Sequence, residues 1–276
     1  MVRIGWIGLG AMGAPMATHA ARAGHDITTY DVAPDRGDAA SAAEAARDAD
    51  VLVLMVATAD QADAALAEVG DTDATLLVMS TVGPAAVEQW AKTYTVVDAP
   101  VSGGVARAGE GDLLIMVSGA ADAIERVRPL LDSLARSAPV VGDQPGDGQK
   151  VKLVNQLLCG VHIAAAGEAL AYAEGLGLDP RFVFETIRHG AANSFMLEDR
   201  GERMVDREFV PPKSALDIFV KDMGLVLGAA EERGFSAPLA SAARELYESG
   251  AAMGLGAEDD SGVIRVFEHR ADQAGS

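Results

Sequence analysis

The chain has a single cysteine, Cys159, among 276 residues. No intrachain disulfide can form, and such usage fits a reducing, cytoplasmic compartment. A lone thiol of this kind reads first as a small buried apolar side chain. Aromatic residues are scarce at 5%, so the core must rest on Val, Leu, Ile and close backbone approach. Positive charge is also in short supply: 22 Lys and Arg stand against 41 Asp and Glu, a formal net charge of −19. A field of that sign repels phosphate backbones and anionic lipid, so neither nucleic acid nor a membrane is an expected partner. An anionic ligand would need a local group of donors to overcome it. No basic segment precedes an apolar run at the N-terminus, and no secretory signal is expected. The longest apolar stretch, residues 153–173, is broken by Asn155, Gln156, His162 and Glu168. That reads as a buried helix, not a membrane span. No internal repeat or low-complexity tract is visible, and no metal site is expected.

Short apolar runs recur at 2–7, 26–30, 51–56, 75–79, 94–97, 113–117 and 139–141. They lack strict alternation, which predicts strands covered on both faces of a mostly parallel sheet. The Ala-rich intervals 60–69, 84–92 and 121–134 are long enough for crossover helices. The character changes at VGDQPGDG, residues 141–148, where Gly and Pro punctuate the chain. Beyond it nearly everything reads as helix: 149–176, 180–189, 215–233 and 238–252. The expected fold is an α/β doubly wound Rossmann domain over residues 1–146, followed by an all-α domain over 147–276 that a long interdomain helix joins to it. The C-terminal helices carry more apolar stripe than about 130 residues bury alone, so a homodimer or homotetramer is expected.

The first run leads into Gly8, Leu9, Gly10, Ala11, Met12 and Gly13, which match G-x-G-x-x-G. Here the motif follows a strand and opens a helix, the setting its mechanism requires. Gly8 permits the tight turn, Gly10 admits a pyrophosphate to the backbone, and Gly13 lets helix and strand pack. Free amides and the dipole at the helix start would hold the phosphates. The alternative is a glycine-rich turn with no ligand. Asp31, 18 residues past Gly13, would accept hydrogen bonds from ribose hydroxyls and repel a 2′-phosphate. No Arg adjoins it, although Arg36 is near in sequence. NAD is therefore expected over NADP.

Four segments then occur in order: GLGAMGAPM at 8–16, DAPVSGG at 98–104, GDGQKVKLVN at 146–155 and KD at 221–222. With them the chain resembles the β-hydroxyacid dehydrogenases, most closely the 3-hydroxyisobutyrate dehydrogenase group, over nearly its whole length. The resemblance implies an NAD-dependent enzyme that moves a hydride between the nicotinamide and a short hydroxy acid or its semialdehyde. It implies that Ser102, Gly103 and Gly104 hold the substrate carboxylate, for which a hydroxyl followed by exposed glycine amides is suited. Lys152 would be the general acid/base and Asn155 would orient the substrate, with Gln156 as the other candidate. Lys152 shares a helix face with both, and a lysine near the start of an apolar helix makes poor sense as packing, because the helix dipole disfavours a cation there. Lys150 points elsewhere. Val56 and Thr58 in VAT, Thr81 in MST and Lys221 are the remaining cofactor contacts that the resemblance implies. Specificity is expected from residues 105–107 and from Asn193, Ser194, Phe195 and Met196. Two rivals stand beside this reading. Imine reductases share the architecture but lack the lysine at the position of Lys152, and a non-catalytic NAD-binding sensor would need no Lys/Asn pair.

Overall fold

The computed structural model describes residues 2–274, with backbone alone for 271–274. The chain divides into two compact units, Met1–Lys152 and Leu153–Ser276.

Among its described residues the first unit holds ten strands: β1 (Arg3–Ile7), β2 (Asp26–Tyr30), β3 (Val51–Leu54), β4 (Thr75–Val78), β5 (Val96–Asp98), β6 (Val101–Ser102), β7 (Leu113–Ile115), β8 (Val117–Gly119), β9 (Ala135–Ser137) and β10 (Val140–Gly142). Between them run α1 (Gly13–Arg22), α2 (Ala42–Ala46), α3 (Ala59–Val69), α4 (Pro84–Trp90), α5 (Gly104–Glu110) and α6 (Ala121–Leu134). The main sheet has the order β10-β8-β5-β4-β3-β1-β2. Strands β1 to β5 are parallel, whereas β8 runs antiparallel to β5. Each inner strand buries both faces. Val51, Val53, Leu77 and Val97 pack with α1 and α6 on one side, and Leu52, Leu54, Leu76 and Val78 pack with α2, α3 and α4 on the other. Two buried faces are why these strands read as unbroken apolar runs. The chain leaves β1 for β2 on one side and returns to β3 on the other. That reversal opens a crevice at the C-terminal ends of β1 and β3, the usual ligand position in such sheets.

The expected doubly wound sheet is therefore present, with one correction. The run 113–117 is not one strand. It splits at Met116 into β7 and β8, and β7 joins β6 and β9 in a separate three-stranded sheet. An apolar run is the same in sequence whether it lies in one sheet or turns a corner between two.

The second unit is helical. The 29-residue helix α7 (Asp147–Gly175) spans the boundary and is followed by α8 (Pro180–Ile187), α9 (Phe195–Asp206), α10 (Leu216–Glu232), α11 (Pro238–Ala252) and α12 (Ile264–Ala274). By length and composition α7 could cross a bilayer, yet its Ile163, Ala164, Ala166 and Leu170 lie in this unit's core with Phe184, Phe219, Met223 and Tyr247. The rings of Phe219 and Tyr247 stack at 5.2 Å, and the Tyr247 hydroxyl donates to the Gly160 carbonyl at 2.7 Å. A forked ion pair ties α9 to the turn before α12. Arg200 donates through Nε and Nη2 to the two oxygens of buried Asp260, at 2.6 and 3.2 Å.

Candidate active site

Strand β1 ends at Ile7, and the chain turns at Gly8 in a backbone conformation (φ +101°) that L side chains rarely adopt. A methyl group on Gly8 would lie 2.4 Å from the Met55 carbonyl, and one on Gly13 would lie 2.1 Å from the Gly8 carbonyl. Both glycines are thus required by close backbone approach. Trp6 braces the turn by donating its indole N–H to the Gly8 carbonyl at 3.1 Å. Gly10 differs. A methyl group there would meet nothing within 4 Å, so the loop leaves open space beside its backbone. No side chain caps the start of α1, leaving that helix end suited to an anion. Asp31, just past β2, accepts from the Leu9 amide at 2.6 Å and the Ala33 amide at 2.8 Å. These features fit a dinucleotide: an open cradle for a pyrophosphate, a helix start behind it and a fixed carboxylate alongside. At the ends of the next strands, the Val56 amide donates to Ser80 Oγ at 2.8 Å, and Thr58 caps α3 by accepting from the Gln61 amide at 3.2 Å. Thr81 follows Ser80, half-buried.

Ser102 ends β6 and is half-buried. Gly103 and Gly104 follow with φ of +146° and +78°, which swings the chain into α5. That helix escapes sequence reading because the segment GVARAGE is short and bounded by glycines. One turn along, Arg107 pairs with Asp112 at 3.5 Å.

The start of α7 carries the clearest contrast. Lys150 is exposed and pairs with Asp147 at 3.0 Å and Glu88 at 3.3 Å. Its hydrogen bond to Asp147, against a smaller opposing effect of burial, holds its pKa above the usual lysine value. Lys152 is only 6% exposed. Two groups missed by sequence reading anchor this helix start. Buried Asp98, at the end of β5, accepts from the backbone amides of Gly146 and Gln149 at 3.1 and 2.9 Å. Gln149, fully buried, donates to Asp98 at 2.8 Å and to the Ser80 carbonyl at 3.0 Å, and accepts from the amides of Val82 and Gly83. Burial pushes the Asp98 carboxyl up to about 6 against the pull of these donors. The available signal was a carboxylate closing an apolar run and a glutamine opening an apolar helix.

In the second unit, Asn155 is half-buried and Gln156 buried. Asn155 donates to the Gln156 carbonyl oxygen at 2.9 Å, and Gln156 donates in turn to Asp222. Asp222 is 2% exposed and pairs with Lys221 at 2.9 Å. The Lys-Asp pair is thus a partly buried element linked to Gln156. Sequence spacing alone does not reveal Asp222 as the link.

Comparison with known proteins gives one answer along the whole chain. Residues 3–142 match the family model described as the NAD binding domain of 6-phosphogluconate dehydrogenase. Residues 146–267 match that described as NAD-binding of NADP-dependent 3-hydroxyisobutyrate dehydrogenase. L-threonate dehydrogenase from Cupriavidus necator is 38% identical, over 96% of this chain and 95% of its own. 2-Hydroxy-3-oxopropionate reductase from Escherichia coli is 35% identical, over 97% of each. The crystal structure of 3-hydroxyisobutyrate dehydrogenase from Salmonella typhimurium superposes with a TM-score of 0.87 at 37% identity, covering 96% of this chain and 100% of that one. An imine reductase from Pseudomonas, at 21% identity and a TM-score of 0.63, shares the fold alone.

Proposed function

The chain belongs to the β-hydroxyacid dehydrogenase family and is a nicotinamide-dependent oxidoreductase of hydroxy acids; from that premise we propose that it interconverts a short hydroxy acid and its oxo acid or semialdehyde, with NAD as the preferred cofactor and Lys152 as the proton shuttle. The observation that carries the Lys152 assignment is its burial, one turn into a helix whose start is pinned to the strand ends by Asp98 and Gln149. A cation near a helix N-terminus lies against the helix dipole. It is explicable where the amine serves a reacting oxygen.

When bound, the nicotinamide supplies the hydride acceptor or donor. The chain supplies position and a proton. The turn at residues 8–13 and the start of α1 hold the pyrophosphate, and Asp31 receives the ribose hydroxyls. Val56, Thr58, Thr81 and Lys221 complete the cofactor contacts. Ser102 donates to the substrate carboxylate, and the amides of Gly103 and Gly104 add to it. Lys152 takes the hydroxyl proton during oxidation and returns one during reduction. Asn155 orients the substrate, and Gln156, fixed by Asp222, holds Asn155 in place through their shared hydrogen bond.

L-Threonate and 3-hydroxyisobutyrate are the first substrates to test, because the relatives named for them align across nearly the full chain. Val154, Leu158 and Tyr172 on α7 are 64%, 50% and 66% exposed and form an apolar stripe that supports a homodimer or homotetramer. The single cysteine supports a cytoplasmic setting. The test is a panel of 2- and 3-hydroxy acids, each offered with NAD and with NADP while reduced cofactor is followed. Turnover of at least one acid is expected. Tight NADH binding with no turnover across the panel would favour the sensor instead.

A further inference from the structure

We propose that Asp98 is a positioning residue for proton transfer: by fixing the polarity of Gln149 and the first turn of α7, it sets where Lys152 sits. The inference rests on the assignment of Lys152 above and concerns what controls it.

Asp98 Oδ2 faces three donors, the amides of Gly146 and Gln149 and the Ser118 hydroxyl, while Oδ1 faces the Gln149 side-chain amide. Only a group that accepts on both sides satisfies this arrangement. Its demand propagates. Gln149 must turn its NH₂ toward Asp98 and the Ser80 carbonyl, which aims its carbonyl oxygen at the amides of Val82 and Gly83. Ser118 Oγ in turn accepts from the Gly148 amide at 2.9 Å. The helix start is therefore tied to the ends of β4 and β5 and to β8 by one chain of hydrogen bonds with a single consistent direction. Space reinforces it: a methyl group on Gly148 would lie 2.5 Å from the Met116 carbonyl and 2.9 Å from Asp98.

Lys152 lies one turn beyond Gln149, so a shift of the helix start moves its amine. Near-attack geometry is demanding, and a displacement of about 1 Å can lower turnover about 10²-fold. The groups that meet Asp98 are neutral: the Gly146 amide, the Ser118 hydroxyl on β8, and the backbone and side-chain amides of Gln149 on α7, while Ser80, Val82 and Gly83 meet Gln149. The charged residues of the same helix start, Asp147 and Lys150, pair with each other and with Glu88, and Lys152 follows. Asp98 therefore responds to its own proton. Taking one up near pH 6 places a donor where the network supplies only donors.

The experiment measures kcat, KM and NADH affinity across pH for the full-length wild type and for Asp98→Asn, Asp98→Asn/Gln149→Glu, Ser118→Ala and Lys152→Ala. The wild type should lose kcat below about pH 6; Asp98→Asn should lower kcat about 10- to 10²-fold, leave NADH affinity unchanged and abolish that acid-side fall. The double variant places a carboxylate at position 149, which accepts from the amide introduced at position 98 and from the Val82 and Gly83 backbone amides but faces the Ser80 carbonyl without a proton to donate, so kcat should stay below that of the wild type. Should Asp98→Asn fail to fold, Ser118→Ala removes the acceptor of the Gly148 amide and one donor to Asp98 and should still lower kcat several-fold at unchanged KM. An essential Lys152 with unchanged kcat in either Asp98→Asn or Ser118→Ala would overturn the inference, as would the same acid limb in wild type and Asp98→Asn. Wild-type turnover by Lys152→Ala would instead overturn the Lys152 assignment, and this inference with it.

Discussion

The backbone N–H of Leu9 donates to Oδ2 of Asp31 at 2.6 Å, so the carboxylate just past the second strand also braces the glycine loop just past the first. One side chain joins the loop proposed to cradle the pyrophosphate to the group that would meet the adenosine ribose.

That link sets the first prediction. A 2′-phosphate about 4 Å from Asp31 would add roughly 1 kcal/mol of repulsion per charge even at the dielectric of water. Asp31→Asn removes this and should narrow the ratio of kcat/KM for NAD over NADP. The substituted amide can still accept from one of the Leu9 and Ala33 amides. Equal kcat/KM for the two cofactors in the wild type would refute the role of Asp31.

The cradle separates folding from binding at two nearby glycines. Gly10→Ala adds a methyl group into open space and should leave thermal stability unchanged while weakening NADH binding. Gly13→Ala drives its methyl group into the Gly8 carbonyl and should lower stability. Thermal melts and NADH fluorescence titrations decide the matter, and wild-type affinity in Gly10→Ala would count against the cradle.

Ser102 is expected to hold the substrate acid. Losing a hydrogen bond to a charged group is worth about 1.5–3 kcal/mol, so Ser102→Ala should raise KM for the hydroxy acid roughly 10- to 10²-fold. NADH affinity should stay constant. Comparable turnover of the matching alcohol without its acid group would refute the assignment.

A fourth prediction concerns stability. Asp260 is fully buried against Arg200, and Asp199 pairs with the same guanidinium. Removing one partner of a buried pair typically costs about 3–5 kcal/mol, an upper bound here because Asp199 still pairs with Arg200. Asp260→Asn should lower the urea midpoint accordingly with an unchanged m-value. A midpoint equal to that of the wild type would show that Asp199 compensates fully.

Much of this architecture is legible in the residues. Strands covered on both faces print themselves as apolar runs such as VLVL, and the glycine spacing at 8–13 follows from backbone contacts that admit no side chain. The corner at Met116 is not legible, because apolarity marks burial and not which sheet is joined. Helix α5 is hidden by its flanking glycines. At the site, a lysine out of place in an apolar helix marks Lys152. Asp98, Gln149 and Asp222 gave weaker signals, since their meaning lies in partners distant in sequence: Gln149 meets Ser80 and Asp98, and Asp222 meets Gln156. Hydrophobic periodicity does not encode such pairings.

The most direct test of the account compares Lys152→Ala with Lys150→Ala on the best hydroxy acid and NAD. General acid–base catalysis is worth about 10²–10⁴-fold. Lys152→Ala should therefore lose kcat by about that factor at unchanged NADH affinity. Lys150→Ala, altering an exposed residue paired with Asp147 and Glu88, should stay close to the wild type. The opposite pattern, with Lys150 essential and Lys152 dispensable, would contradict the account.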